Sequence, residues 1–145
     1  MDRPVPAVRL IVEDDRGWVL LLKRANTAYG SGEWCLPGGK VDYGKTVAET
    51  GTAELKEETS LDCVDMKFLF YQDSLPMAEG KMHCINLYFA CRASGTIQLN
   101  DESSDYAWVD PADAGRRPVL FGGSAALDRY WSKAEGFGPP CGSCP

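Results

Sequence analysis

The stretch that decides the fold runs from Trp34 to Leu61 and reads WCLPGGKVDYGKTVAETGTAELKEETSL. Its Pro-Gly-Gly run predicts a sharp turn, because glycine lets the backbone bend and approach other groups closely. Thr46 and Glu49 form a Thr-x-x-Glu pair, in which each side chain satisfies an unpaired N–H at a helix start. The pattern therefore predicts a glycine turn, and then a helix from an N-cap at Thr46 to about Ser60.

Three glutamates share one face of that helix. At about 100° per residue, Glu57 and Glu58 lie roughly 60° to one side and 40° to the other side of Glu54. Like charges at this spacing repel one another, and bound cations would offset the repulsion. Carboxylates are oxygen ligands that suit Mg²⁺ and Mn²⁺. The alternative is an ordinary solvated acidic helix, and the distance from the glycine turn to the acids is what makes the combination specific.

The segment resembles the Nudix box, whose pattern reads Gly-x5-Glu-x7-Arg-Glu-apolar-x-Glu-Glu-x-Gly-apolar. Gly39 matches the first glycine, Glu54, Glu57 and Glu58 match the central glutamates, and two leucines match the apolar positions. The resemblance implies that these three glutamates are metal ligands and that the carbonyl of Gly38 is another. It also implies Mg²⁺ as the cofactor, with Mn²⁺ as a substitute.

Three positions depart from the family pattern. Lys45 replaces the first glutamate, Ala53 replaces the arginine, and Ser60 replaces the second glycine. Loss of polar groups that support metal ligands commonly weakens metal affinity or activity by about 10- to 100-fold. We therefore expect a weakened enzyme, and the alternative is a degenerate Nudix-like nucleotide-binding or regulatory domain without turnover. At Ser60 the departure predicts a strained helix end, where a left-handed residue favours glycine.

The rest of the chain predicts one α/β domain over residues 1–138, followed by a Pro/Gly/Cys tail over residues 139–145. The 145 residues are 44% apolar, which suffices for a single core. The resemblance implies an α/β/α sandwich with a mixed β-sheet between helices. The first two predicted strands are expected to pair around a turn at residues 13–17. Outside the box the predicted elements are strands at Val5–Val12, Trp18–Lys23, Lys67–Gln72, Met82–Arg92 and Tyr106–Val109, and a helix at Ser124–Lys133.

The chemistry that these groups suit is the attack of water on a phosphoanhydride. Glu57 and Glu58 would chiefly hold metal, and Glu54 would be a ligand or the general base. The family often supplies a further acid from a loop ahead of a late Trp-containing strand, and Glu102 is the candidate here. Its alternative role is that of a solvated turn residue. Sequence cannot assign the proton to one member of such a coupled set of carboxylates.

Two cations are the best candidates for phosphate contacts. Arg24 ends a predicted strand, and Lys40 follows the glycine turn. Their alternative role is surface solubilisation. The expected substrate is a nucleoside diphosphate linked to another group, with ADP-ribose or a nucleotide sugar favoured and a nucleoside triphosphate as a further option. Pro76 lies 15 residues beyond Leu61, a spacing similar to that of ADP-ribose-hydrolysing relatives.

Composition narrows the class of partner. The net charge of −6 argues against a surface that coats nucleic acid, and it is compatible with a small-molecule nucleotide bound through metal. No apolar run near 18 residues and no secretion signal is evident, so the expectations are no membrane partner and a cytoplasmic location. Dimers are common in the family that the chain resembles, so a homodimer is allowed. The six cysteines are expected to be thiols, including Cys141 and Cys144 on the tail.

Overall fold

The computed structural model describes residues 3–27, 30–76 and 82–132, so the predicted tail at 139–145 lies outside the described residues. The described part of the chain is α/β, as predicted. In these residues four strands precede the helix that carries the glutamates, and three strands and two further helices follow it. In chain order they are β1 (Val5–Val12), β2 (Val19–Arg24), β3 (Trp34–Cys35), β4 (Gly38–Lys40), α1 (Val47–Thr59), β5 (Asp62–Ser74), β6 (Cys84–Ser94), β7 (Ser103–Val109), α2 (Pro111–Ala114) and α3 (Gly123–Trp131).

The strands form two sheets. The larger sheet has the order β4-β1-β6-β5, and it is mixed because β1 and β6 run parallel while the other pairs run antiparallel. The smaller sheet has the order β3-β2-β7 and is antiparallel. The predicted mixed β-sheet is therefore confirmed, and a second sheet accompanies it.

Helices cover both faces of the larger sheet, because alternate residues of β1 point to opposite faces. Val8 and Leu10 join the core cluster that contains Leu55 of α1. Ile11 joins the other cluster, which contains Leu127 of α3. Helix α1 packs so closely on β1 that a Cβ added at Gly51 would lie 3.3 Å from the Val8 side chain. This arrangement confirms the predicted sandwich and fixes the helix that carries the glutamates.

Helix α1 begins and ends as the sequence predicts. Thr46 Oγ1 accepts the N–H of Glu49 at 3.0 Å, and the N–H of Thr46 donates to Glu49 Oε1 at 2.8 Å. Ser60 lies in the left-handed region, with φ 69°, and ends the helix. The buried face of the helix is formed by Thr50, Gly51, Leu55 and Thr59, and Ala48 is exposed.

The predicted pairing of the first two strands is wrong. Apart from an isolated bridge between Glu13 and Val19, β1 and β2 lie in different sheets. The four residues from Val19 to Leu22 are all nearly inaccessible, at 0–2% exposure, so β2 is a central strand without a solvent face. A short turn favours a hairpin locally, but both edges of β1 are taken by β4 and β6.

The predicted glycine turn is confirmed only in part: the chain bends at Pro37, but Gly38–Lys40 is an extended strand that pairs with Ala7–Arg9 of β1. Gly38 has φ 154°, and a Cβ there would lie 2.0 Å from the carbonyl oxygen of Val8. Glycine is required at this position because two backbones approach closely, and no bend is needed to explain it. The result is a strand edge that opens beside α1.

The four cysteines of the described residues, Cys35, Cys63, Cys84 and Cys91, are free thiols, as predicted. Cys141 and Cys144 lie outside the described residues.

Candidate active site

A cleft of about 790 Å³ opens where β4, α1 and the loop before β7 meet. It contains most of the residues that the sequence singles out, together with several that it does not. Its lining includes Arg9, Leu22, Arg24, Thr27, Cys35, Leu36, Gly38, Gly39, Lys40, Glu54, Glu58, Ser74, Leu75, Met82, Cys84, Asn86, Glu102, Ser103 and Phe121. We refer to Glu54, Glu57, Glu58 and Glu102 with the two glycines as the acidic end, and to Arg9, Asn86 and Phe121 as the amide end.

Helix α1 places Glu54 and Glu58 directly against strand β4. The N–H of Gly38 donates to Glu58 Oε1 at 3.2 Å, and the two glutamate side chains hydrogen-bond to each other. A Cβ at Gly39 would lie 2.7 Å from the carboxyl carbon of Glu54. The absence of a side chain at Gly39 therefore lets the Glu54 carboxylate lie on the backbone of β4.

Burial and mutual repulsion perturb these carboxyl groups. Burial, and then the charge of Glu54, hold the pKa of Glu58 well above its usual range. Burial also raises the pKa of Glu54, with further increments from the charges of Glu57 and Glu102. A bound cation reverses this effect, because positive charge favours the ionised carboxylates.

The other two acids lie at the rim. Glu57 is exposed on α1, and its charge acts on Glu54 although it is not part of the cleft lining. Glu102 lines the cleft, and its carbonyl accepts the N–H of Ala25, which ties the loop to the end of β2. The structure thus brings the predicted loop acid into the same cleft lining as the half-buried Glu54 and Glu58, while Asp101 and Asp105 are absent from the lining.

The residues present fit a divalent cation. Carboxylate oxygens of Glu54 and Glu58 lie against a glycine backbone that carries no side chains, and the charges of two further carboxylates act on them. Across residues 3–27, 30–76 and 82–132, no three acidic, cysteine or histidine side chains already converge on one point. An ion would therefore draw in Glu57 or Glu102, whose side chains are exposed.

Both predicted phosphate-binding cations line the cleft. Arg24 is the last residue of β2, and its guanidinium lies 5.1 Å from the centre of the Phe121 ring. Lys40 is the last residue of β4 and is exposed. They contribute positive charge to the same cleft that holds the carboxylates of Glu54, Glu58 and Glu102.

The amide end was missed by the sequence analysis. Arg9 and Asn86 each lie among apolar neighbours in their strands, and that contrast was the available indication. Arg9 Nε donates to Asn86 Oδ1 at 3.1 Å, and the Arg9 guanidinium lies 4.6 Å from the centre of the Phe121 ring.

The backbone of Phe121 is strained. It has φ 60°, which is rare for a bulky residue, and Gly122 follows with φ 77°. Two hydrogen bonds hold the pair, from Tyr88 Oη to the carbonyl of Phe121 and from Gln72 Nε2 to the carbonyl of Gly122, each at 3.2 Å. Strain of this kind clusters at ligand sites, and here it turns an aromatic ring into the cleft.

Comparisons with known proteins agree with this arrangement. The NUDIX domain family matches residues 3–130. The nucleoside triphosphatase NudI of Salmonella agona is 33% identical over 113 residues, which cover 71% of this chain and 79% of that protein. The NudI protein of Salmonella paratyphi B is 30% identical over 112 residues, with the same coverage.

Solved structures show the same fold. The MutT protein of Methanosarcina mazei Go1 superimposes with a TM-score of 0.81 at 22% identity, covering 92% of this chain and 98% of that chain. A MutT NUDIX hydrolase of Burkholderia pseudomallei gives 0.78 at 26% identity, covering 88% and 98%. The NUDIX domain of Shewanella oneidensis NrtR, complexed with ADP ribose, gives 0.76 at 19% identity, covering 92% and 90%. In the described part of this chain, no helix has both the length and the apolarity to cross a membrane. The chain belongs to the NUDIX family, whose hydrolases are pyrophosphohydrolases of nucleoside diphosphate derivatives and nucleoside triphosphates.

Proposed function

We propose that this chain hydrolyses a phosphoanhydride bond of a small nucleotide, with Mg²⁺ held by Glu54, Glu57, Glu58 and the carbonyl of Gly38. The observation that carries the proposal is the placement of Glu54 and Glu58 against the glycine strand β4, in a cleft that is also lined by the cationic side chains of Arg9, Arg24 and Lys40. Bound Mg²⁺ supplies positive charge that neutralises phosphate oxygens and increases the acidity of an attacking water.

The chain's own residues perform the remaining tasks. Arg24, at the end of β2, and Lys40, at the end of β4, attract the phosphates by their positive charge. Glu54 or Glu102 accepts the proton of the attacking water, and the two remain alternatives because the carboxylates titrate as one set. Glu54 reaches from α1 to the backbone of β4 beside Gly39, which positions its carboxylate for either role.

For the substrate we rank nucleoside triphosphates first, because the relatives at 30–33% identity are named nucleoside triphosphatases. ADP-ribose and nucleotide sugars, which the sequence analysis favoured, rank second. The relative complexed with ADP ribose is only 19% identical, so its likeness bears on the fold and not on the ligand. A cytoplasmic location is also proposed, since reducing conditions would maintain the four free thiols.

The second candidate function is nucleotide binding without turnover. Lys45 and Ala53 favour it, because both depart from the box pattern and both are exposed on the structure. The retained glutamates at the acidic end favour the hydrolase.

The decisive experiment is hydrolysis of nucleoside triphosphates, ADP-ribose, nucleotide sugars and dinucleoside polyphosphates with Mg²⁺, with Mn²⁺ and with a chelator. Products are identified by chromatography, and ¹⁸O-labelled water locates the phosphorus that is attacked. Turnover with either metal that stops with the chelator supports the hydrolase. Metal-dependent binding of the same compounds without any product supports the binding domain.

A further inference from the structure

Asn86 is a buried amide on the floor of the cleft that the proposed mechanism does not use. It lies on β6, it is 1% exposed, and it lines the same cleft as Glu54 and Glu58. Its Oδ1 accepts a hydrogen bond from Arg9 Nε at 3.1 Å. This contact fixes the orientation of the amide, because an exchange of oxygen and nitrogen would bring two donors face to face.

The other half of the amide lacks an acceptor. Nδ2 of Asn86 is buried and makes no hydrogen bond. Within the described residues, every other buried side-chain nitrogen or oxygen has a hydrogen-bond partner. Buried polar atoms are nearly always paired, and leaving a donor unpaired is costly. A ligand that brought an acceptor to Nδ2 would recover that cost, so the amide is prepared for an acceptor and not for a donor.

The position of Asn86 fits the far end of a nucleotide whose phosphates lie at the acidic end. Lys40 of β4 lies in register with Ala7 of β1, which lies in register with Asn86 of β6. Two strand spacings separate Lys40 from Asn86, or roughly 10 Å. Directly paired residues point to the same face of a sheet, so both side chains face the cleft. A sugar and a base can bridge that span.

Phe121 provides the apolar surface that a base requires. Phe121 lines the cleft, and the guanidinium of Arg9 lies 4.6 Å from its ring centre. Arg9 therefore contacts both the aromatic ring and the Asn86 amide. Flexible groups on the same wall, such as the unbranched and 44% exposed Met82, give way to an entering base.

We propose that Asn86 reads the nucleobase by donating a hydrogen bond from Nδ2 to a keto oxygen. This inference rests on the proposed function, because it places a nucleotide in the cleft. A keto group accepts the bond, whereas an amino group at the same position would present a second donor and leave Nδ2 unpaired. Hypoxanthine, guanine and uracil are therefore preferred to adenine and cytosine, in proportion to the cost of that unpaired donor.

The test uses nucleoside monophosphates, which have no phosphoanhydride and bind without turnover. Dissociation constants are measured by titration calorimetry with Mg²⁺ for two pairs, inosine against adenosine monophosphate and uridine against cytidine monophosphate. Within a pair the phosphate and sugar are identical, so their contributions cancel in the ratio. We expect the wild type to bind the keto member of at least one pair about tenfold more tightly.

Two variants at the same position sharpen the result. Asn86→Asp keeps an acceptor for Arg9 and replaces the Nδ2 donor with an acceptor, so the keto preference should be lost or reversed. Asn86→Ser adds no charge and should bring the ratio close to one. Gln98→Glu makes the same amide-to-acid change at an exposed position outside the cleft lining, and it should keep the wild-type ratio.

Equal affinity for both members of each pair in the wild type overturns the inference, as does a preference that survives in a folded Asn86→Asp or Asn86→Ser protein. Failure of the wild type to bind any of the four monophosphates overturns it as well. A keto preference in a protein that hydrolyses nothing leaves the inference standing and refutes only the proposed hydrolysis. Hydrolysis of triphosphates with no base preference supports the proposed hydrolysis and refutes the inference about Asn86.

Discussion

The acidic end of the cleft comes mainly from one continuous segment, residues 38–58, whereas the amide end is assembled from β1, β6 and the loop before α3. At the acidic end a capped helix and a glycine strand bring carboxylates together over short sequence distances. At the amide end Arg9 and Asn86 meet across 77 positions of sequence. The difference suggests a division of labour, in which the local segment carries chemistry and the assembled end carries recognition.

The largest loss of activity is expected at the acidic end, and it would test whether this end carries the chemistry. Glu57→Gln should lower Mg²⁺-dependent kcat roughly 10²- to 10⁴-fold, the scale on which a positioned carboxylate contributes. Because Glu57 is exposed and outside both core clusters, thermal unfolding should be unchanged. Steady-state kinetics and a melting curve measure both quantities.

The matched control for that variant is Glu49→Gln on the same helix. Glu49 lies at the helix start, and glutamine also completes a capping box, so both activity and stability should be retained. An equal loss of activity in the two variants would show that the effect comes from net charge and not from the acidic face.

A smaller loss is expected from Gly39→Ala. The new methyl would lie 2.7 Å from the Glu54 carboxylate, and this flexible side chain would yield by moving off β4. Misplacement of a reacting group by about 1 Å costs on the order of 10²-fold in rate. We expect reduced kcat and weaker activation by Mg²⁺, with little change in melting temperature.

Gly115→Ala serves as the control, since an added Cβ there meets nothing closer than 3.5 Å and the backbone has an ordinary φ of −65°. Full activity of Gly39→Ala, with Gly115→Ala equally unaffected, would mean that the close approach of Glu54 to β4 is not needed for turnover.

An increase of about tenfold is expected when the altered box positions are restored together, as Lys45→Glu with Ala53→Arg. Both positions are exposed, so the change should not disturb the core. Since the two side chains would act as a pair, each single variant should give less than half of the combined effect on the free-energy scale. A folded double variant with wild-type kcat would refute the idea that these departures weaken the acidic end.

The smallest effect is expected at the amide end, from Tyr88→Phe. This change removes the hydroxyl that donates to the carbonyl of Phe121, which helps to hold the strained aromatic residue in place. KM should rise about fivefold with kcat nearly constant, corresponding to about 1 kcal/mol for one hydrogen bond.

Tyr130→Phe is the matched control, because its hydroxyl donates to Glu13 Oε2 at 2.9 Å, and neither residue lines the cleft. It should lower stability by a similar amount without changing KM. If Tyr88→Phe lowered kcat instead of raising KM, the division of labour between the two ends would fail.

The same contrast explains what could be predicted from the sequence. The capping box at Thr46, the helix end at Ser60 and the shared face of the glutamates depend on residues within one turn of each other, and all three were predicted. The pairing of β1 with β2 was predicted wrongly, because strand partners depend on which edges remain open after the whole sheet forms. Asn86 was missed for the same reason: its role depends on Arg9, which local patterns cannot place beside it.

Gly38 illustrates how a mutational scan of this chain should be interpreted. Every substitution there adds a Cβ that would lie 2.0 Å from the carbonyl oxygen of Val8, so the strand would separate from β1 whatever the new residue's chemistry. Such a scan would find Gly38 as intolerant of substitution as the glutamates whose side chains are proposed to bind metal. Its intolerance would report the closeness of two backbones, and cellular abundance measured alongside activity would separate Gly38 from Glu57, where abundance should remain normal while activity disappears.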